Sequence, residues 1–127
     1  MSSSKDVWGE LHDVCRALHE LLYRTRDTRN ARMLLPRLQA LLEDLPTTDE
    51  AIIRAEAFAI YYELRQEPEQ AIAYRRREVE LMQKLHQHIR THKYDAKTKQ
   101  ALLYGREVRD LEERKAIIVA LQKLIGT

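Results

Sequence analysis

His88 and His92 are four residues apart, the spacing that puts two imidazoles on one helix face within reach of a shared metal ion. His86 falls on another face, and a third ligand would have to come from Asp95 or from further along the chain. The pair therefore reads as polar side chains near a helix end, where positive charge is favoured, and no metal or other cofactor is expected. Arg75, Arg76 and Arg77 are consecutive, so on a helix they diverge and cannot form one clamp. They can still contact an acidic peptide one at a time, beside Tyr61, Tyr62 and Tyr74, whose rings suit half-buried positions. Lys84 to Lys99 holds five bases against Asp95, but its only aromatic is Tyr94, so it offers no ladder for stacking bases. Cys15 lies on an apolar stripe, and Gly9, Gly105 and Gly126 are too scattered to make a phosphate loop. No nucleophile sits with a base and no acids are paired, so no catalytic residues are assigned and an enzyme is not expected.

The chain that must position these groups has 127 residues, 44% hydrophobic and 33% charged, with one cysteine. That is the size of one domain, too apolar for a disordered chain and unable to form an internal disulfide. No apolar run exceeds six residues, as at Ala116–Leu121, which is far short of a membrane span. No signal-peptide pattern follows Met1, so a soluble, cytoplasmic protein is expected. The net charge of +2 is a weak field, but it is unevenly spread. Glu43 to Glu69 carries eight acids against two arginines, while Arg24 to Arg32 carries four arginines against Asp27.

Leu, Ala, Glu, Arg and Gln dominate, and apolar residues recur at intervals of three and four, which predicts an all-α chain of five helices. The first spans about Ser4 to Arg24 on the stripe Val7, Trp8, Leu11, Val14, Cys15, Leu18, Leu21 and Leu22. A polar link, Thr25 to Asn30, leads to a second, regular from about Leu35 because Pro36 is tolerated only in a first turn. Thr47 and Glu50 have capping-box spacing for a third helix reaching about Gln66. Pro68 opens a fourth that ends near Thr91, and Asp95 caps a long fifth reaching Leu124. The charged middle of that last helix reads as a solvated bridge or as a lead-in to a docked apolar end.

In the third and fourth helices, over about 52–85, Phe58, Ala59 and Tyr62 recur at hairpin spacing with Ala71 at the first small position of the second helix. This resembles one tetratricopeptide repeat, whose pattern has Leu, Gly or Ala, and Tyr at the first three places. Arg75 and Glu78 depart from it, occupying the places of an aromatic and a second Ala. Leu18, Leu22, Ala31 and Leu35 lay the pattern more faintly on the first two helices. Helices joined by short turns give antiparallel helical hairpins in a short stack or bundle with a long C-terminal helix, and the resemblance implies a protein-binding surface without catalysis. The expectation is a single all-helical domain over 1–127 that binds an unidentified protein or peptide through Tyr62, Tyr74, Arg75 and Arg76. A second reading is a homo-oligomer formed through Ile117, Ile118, Leu121, Leu124 and Ile125, whose rival is that this end closes the chain's own core. A third is nucleic-acid binding through 84–99. No membrane contact is expected.

Overall fold

A computed structural model describes residues 4–45, 51–103 and 110–126, and among these all regular structure is helical. Helix α1 spans Ser4–His19 and is prolonged by a π-helical turn, Glu20–Arg24. The short α2 (Thr28–Met33) and α3 (Leu35–Glu43) follow, then α4 (Ala51–Leu64), α5 (Pro68–Thr91), α6 (Ala96–Leu103) and α7 (Leu111–Ile125). No helix of the described residues is long and apolar enough to cross a membrane.

The boundaries have local causes. Arg26, with φ 58°, takes the left-handed conformation after the π-turn, and Asp27 then caps α2 by accepting from the Asn30 amide at 3.1 Å. The cap makes Thr28 to Asn30 helical, so the expected polar link is shorter than its composition suggests. Gln66, with φ 61°, closes α4 in the same left-handed way, with its neighbour Glu67 donating back to the Tyr62 carbonyl at 2.9 Å. Pro36 and Pro68 stand in the first turns of α3 and α5, where a missing amide costs nothing. Asp95 accepts from the Thr98 amide at 2.7 Å, and that bond holds its carboxyl below the usual range. The expected capping box of Thr47 and Glu50 lies outside the described residues, as do 104–109 within the expected long terminal helix.

The larger apolar core joins α1, α3 and α4. Val7, Trp8, Leu11, Leu18, Leu38, Leu41, Ile53 and Ile60 are buried together there, as the stripe of the first helix requires. Ala57, Ala59 and Ala71 are fully buried; Ala57 lies in the core with α1 and α3, and Ala71 lies on α5 against α7. A second apolar contact joins α5 to α7: Ile117 and Leu121 meet Ala71 and Ile72, while Leu111 meets Val79 and Met82. The start of α7 thus lies against the middle of α5, and its end against the start of α5.

Candidate functional site

The two apolar regions meet at a cluster of charged side chains. Arg75, on α5, is fully buried and Glu78, one turn on, is 1% exposed. Nη1 of Arg75 donates to Oε1 of Glu78 at 2.7 Å, and its Nη2 donates to the Tyr23 hydroxyl at 3.0 Å. Tyr23 in turn donates to the Glu63 carboxylate on α4. From α7, Arg114 reaches Glu56 at 2.6 Å through Nη2 and Glu78 at 3.2 Å through Nε. Two guanidiniums thus face the two carboxylates of Glu56 and Glu78 and balance them in charge, while Nε of Arg75 stays buried without a hydrogen-bond partner.

Burial opposes every charge in this cluster, and proximity decides each outcome. For Arg75, burial favours the neutral form, but the Tyr23 oxygen, Glu78 and Glu56 outweigh it and hold the guanidinium charged. Burial also pushes Glu56 up, yet Arg114 and Arg75 keep it below the usual carboxylate range. Glu78 is more deeply enclosed; burial and the neighbouring Glu56 raise it despite Arg75. Burial drives the Tyr23 phenol and the Cys15 thiol well above their ordinary values, so both keep their protons at neutral pH.

Tyr23 reaches the cluster from the π-helical turn. The extra residue in that turn widens the helix, with the Thr25 amide bonding to the Glu20 carbonyl at 2.9 Å. Beyond it opens an apolar groove of about 570 Å³. One wall is the end of α1 with its π-turn, giving Leu22 and Tyr23; the other is α7, giving Ala116, Ile117, Ala120, Leu121 and Leu124. Ala116 and Ala120, one turn apart, leave the space that larger side chains would fill. A volume of this size is in the range of ligand-binding clefts.

His19 borders this groove and also an adjoining polar pocket of about 380 Å³, which Arg16, Arg24, Glu56 and Arg114 help to line. Nε2 of His19 lies 2.9 Å from Oε2 of Glu113, tying α1 to α7. Burial lowers the His19 pKa from the ordinary 6.5, against the pull of Glu113, so the folded chain favours the neutral ring. The unfolded chain then binds the extra proton more readily, and stability declines as pH falls below about 6.5, towards the lowered folded value. Melting curves at pH 7.5 and 5.5 are expected to show this loss in the wild type and a smaller one in His19→Gln. An equal loss in both would remove His19 as the source.

The predicted contact residues are not kept together. Tyr62 and Tyr74 do meet, stacking at 5.6 Å between centroids, and Phe58 joins them at 5.1 Å from Tyr74. Arg75 is a correction: it is buried in the ion cluster, so it cannot face a partner in this fold. Arg76 is exposed and borders a separate shallow cleft with Gln122 and Ile125. Of the expected oligomer residues, Ile117 and Leu121 are buried in the chain's own core and Ile118 packs beside them, whereas Leu124 is 72% and Ile125 41% exposed. The charged middle of the terminal helix is no solvated bridge at Arg114, which is committed to Glu56 and Glu78. The His88 and His92 rings lie 4.7 Å apart and tilted by 34° at the exposed end of α5, and among the described residues no three metal-ligating side chains gather. Sequence reasoning passed over Tyr23, Glu56, Glu78 and Arg114 as a unit. The available signal was the gap in the α5 stripe between Ile72 and Val79, which Arg75 fills. Compared with known proteins, the chain matches no family model, no curated protein and no solved structure.

Proposed function

We propose that this chain is a non-enzymatic interaction module, a stack of antiparallel helical hairpins of tetratricopeptide-like character that holds a peptide or helix. The observation that carries this reading is the apolar groove between the π-turn and α7, where Ala116 and Ala120 leave room for apolar side chains from outside. Helix-in-groove recognition needs such a trough, filled by a row of side chains at helical spacing. The half-buried stack of Phe58, Tyr62 and Tyr74 is a secondary contact surface in this reading. A panel of fluorescent amphipathic helical peptides provides the test. Ala120 is exposed on α7, so Ala120→Arg fills the groove without disturbing the core. Peptide affinity is expected to fall at least tenfold, about 1.4 kcal/mol, with the melting temperature held. Unchanged affinity in the folded variant would remove the groove as the site.

The second reading, self-association through α7, has its own observation: Val119, Leu124 and Ile125 remain exposed along that helix. Light scattering over a concentration series is expected to show a dimer that Leu124→Glu dissociates. A monomer at all concentrations ends this reading.

A further inference from the structure

We infer that the end of α5, with α6, is a docking surface for single-stranded nucleic acid, its phosphates on Arg90, Lys93 and Lys97 and its bases against the rings of His88, His92 and Tyr94. The surface lies apart from the groove between the π-turn and α7 and does not depend on the reading given to that groove.

The starts of α4 and α7 lie level with the middle of α5, where Ile52 and Leu111 pack on Val79 and Met82. Beyond Met82 the helix runs on to Thr91, about 14 Å further at 1.5 Å per residue. His86 and Ile89 are buried on its inner side. α6 packs alongside, tied by the Lys99 ammonium, which donates to the Arg90 carbonyl at 2.8 Å. Apart from Ile89, every residue from Gln87 to Thr98 is exposed. From Leu81 to Leu103 the sequence holds five cations and a single acid. Lys84 is engaged by Glu80 at 3.1 Å. Within this stretch Arg90, Lys93, Lys97 and Lys99 then stand against Asp95 alone, a net of +3. Asp95 accepts from the Thr98 amide as the cap of α6. The acids at the start of α7 face elsewhere: Asp110 and Glu113 line the polar pocket beside α1, and Glu112 lies 3.7 Å from Lys115. Such an excess attracts polyanions in general.

The rings select among them. Tyr94 is the one Phe, Tyr or Trp of Lys84 to Lys99, but the fold brings two imidazoles to it. The His88 and His92 centroids are 4.7 Å apart, and those of His92 and Tyr94 5.1 Å. All three side chains are exposed. Unpaired bases stack on Tyr and His rings while Lys and Arg hold the phosphates. An acidic peptide uses the cations and leaves the rings idle. A duplex keeps its bases in its own stack, so it too meets only the cations.

Fluorescence anisotropy of the full chain separates the possibilities, with three labelled probes: an oligothymidine of about 16 nucleotides, a mixed-sequence duplex of equal length, and a polyglutamate peptide. At low salt the oligothymidine is expected to bind about fivefold tighter than either other probe, or better. Lys93→Gln with Lys97→Gln, both at exposed positions, should weaken it about tenfold and shrink the salt slope by about 1.4, at roughly 0.7 per phosphate contact. Tyr94→Ala should weaken it about fivefold or more with the salt slope unchanged, as the loss of a stacked base requires. The melting temperature of both variants is expected to hold. Affinity unmoved by the two lysine changes overturns this surface as the site. A duplex bound as tightly as the single strand, or affinity unmoved in folded Tyr94→Ala, overturns the single-strand assignment. Polyglutamate bound as tightly as the oligothymidine overturns nucleic acid in favour of an acidic protein. Failure of the oligothymidine to bind by about 1 mM at low salt overturns the inference outright.

Discussion

Arg75→Met should cost about 3–5 kcal/mol of folding stability, the usual result of stripping one partner from a buried ion pair. The methionine fills most of the volume, so the loss is electrostatic: Glu78, 1% exposed, keeps only the shared Arg114. At roughly 4 °C per kcal/mol for a domain of this size, the melting midpoint should drop by more than 10 °C. The double variant Arg75→Met with Glu78→Leu should be more stable than Arg75→Met alone. It reduces the cluster to the one-to-one pair of Arg114 and Glu56, which already meet at 2.6 Å. Denaturant unfolding of the two single variants and the double variant closes the cycle. Additive losses would mean that Arg75 and Glu78 do not act as a pair.

Ending the chain at Arg114 should remove most of its cooperative unfolding. The deletion takes away Ile117 and Leu121, each buried against Ala71 and Ile72. Full burial of such side chains is worth about 1.5–3 kcal/mol apiece. Together they come to about 3–6 kcal/mol, a large share of the net stability of an ordinary domain, about 5–15 kcal/mol. Circular dichroism melting of the shortened chain is expected to show a broad transition at low temperature, and Leu121→Ala a milder loss of the same kind. A shortened chain that melts as sharply as the full one would make α7 an appendage, contrary to its packing.

The helices were legible because their causes are local. The period of Leu11, Val14, Leu18 and Leu22, the prolines opening α3 and α5, and the Asp95 cap each act within a turn or two. The site was less legible, because its parts come from four places in the chain. Arg75 and Glu78 look like members of a solvated charged face until Arg114, 36 residues beyond Glu78, is brought to them by packing. A run of three arginines suggests exposure, yet only the first falls on the buried stripe of Ala71, Glu78 and Met82. The π-turn also escapes sequence reading, because Tyr23 is drawn inward by Glu63 and Arg75 rather than by its neighbours. The apolar end of α7 shows the limit of periodicity from the other side. Its stripe was plain, but only the fold shows that Ile117 and Leu121 meet Ala71 and Ile72 of their own chain while Leu124 and Ile125 stay exposed.

The buried ion cluster and the exposed side chains of Arg26 and Arg32 set very different rules for how descendants of this sequence can change. Glu56, Arg75, Glu78 and Arg114 pair with one another, so a lineage that alters one inherits a stranded charge until a second change relieves it. These positions should therefore be exchanged as a set, or not at all. Arg26 and Arg32 carry no such debt, because among the described residues no buried charge pairs with them. Exposed positions such as these can change by single steps while the architecture beneath them stays fixed.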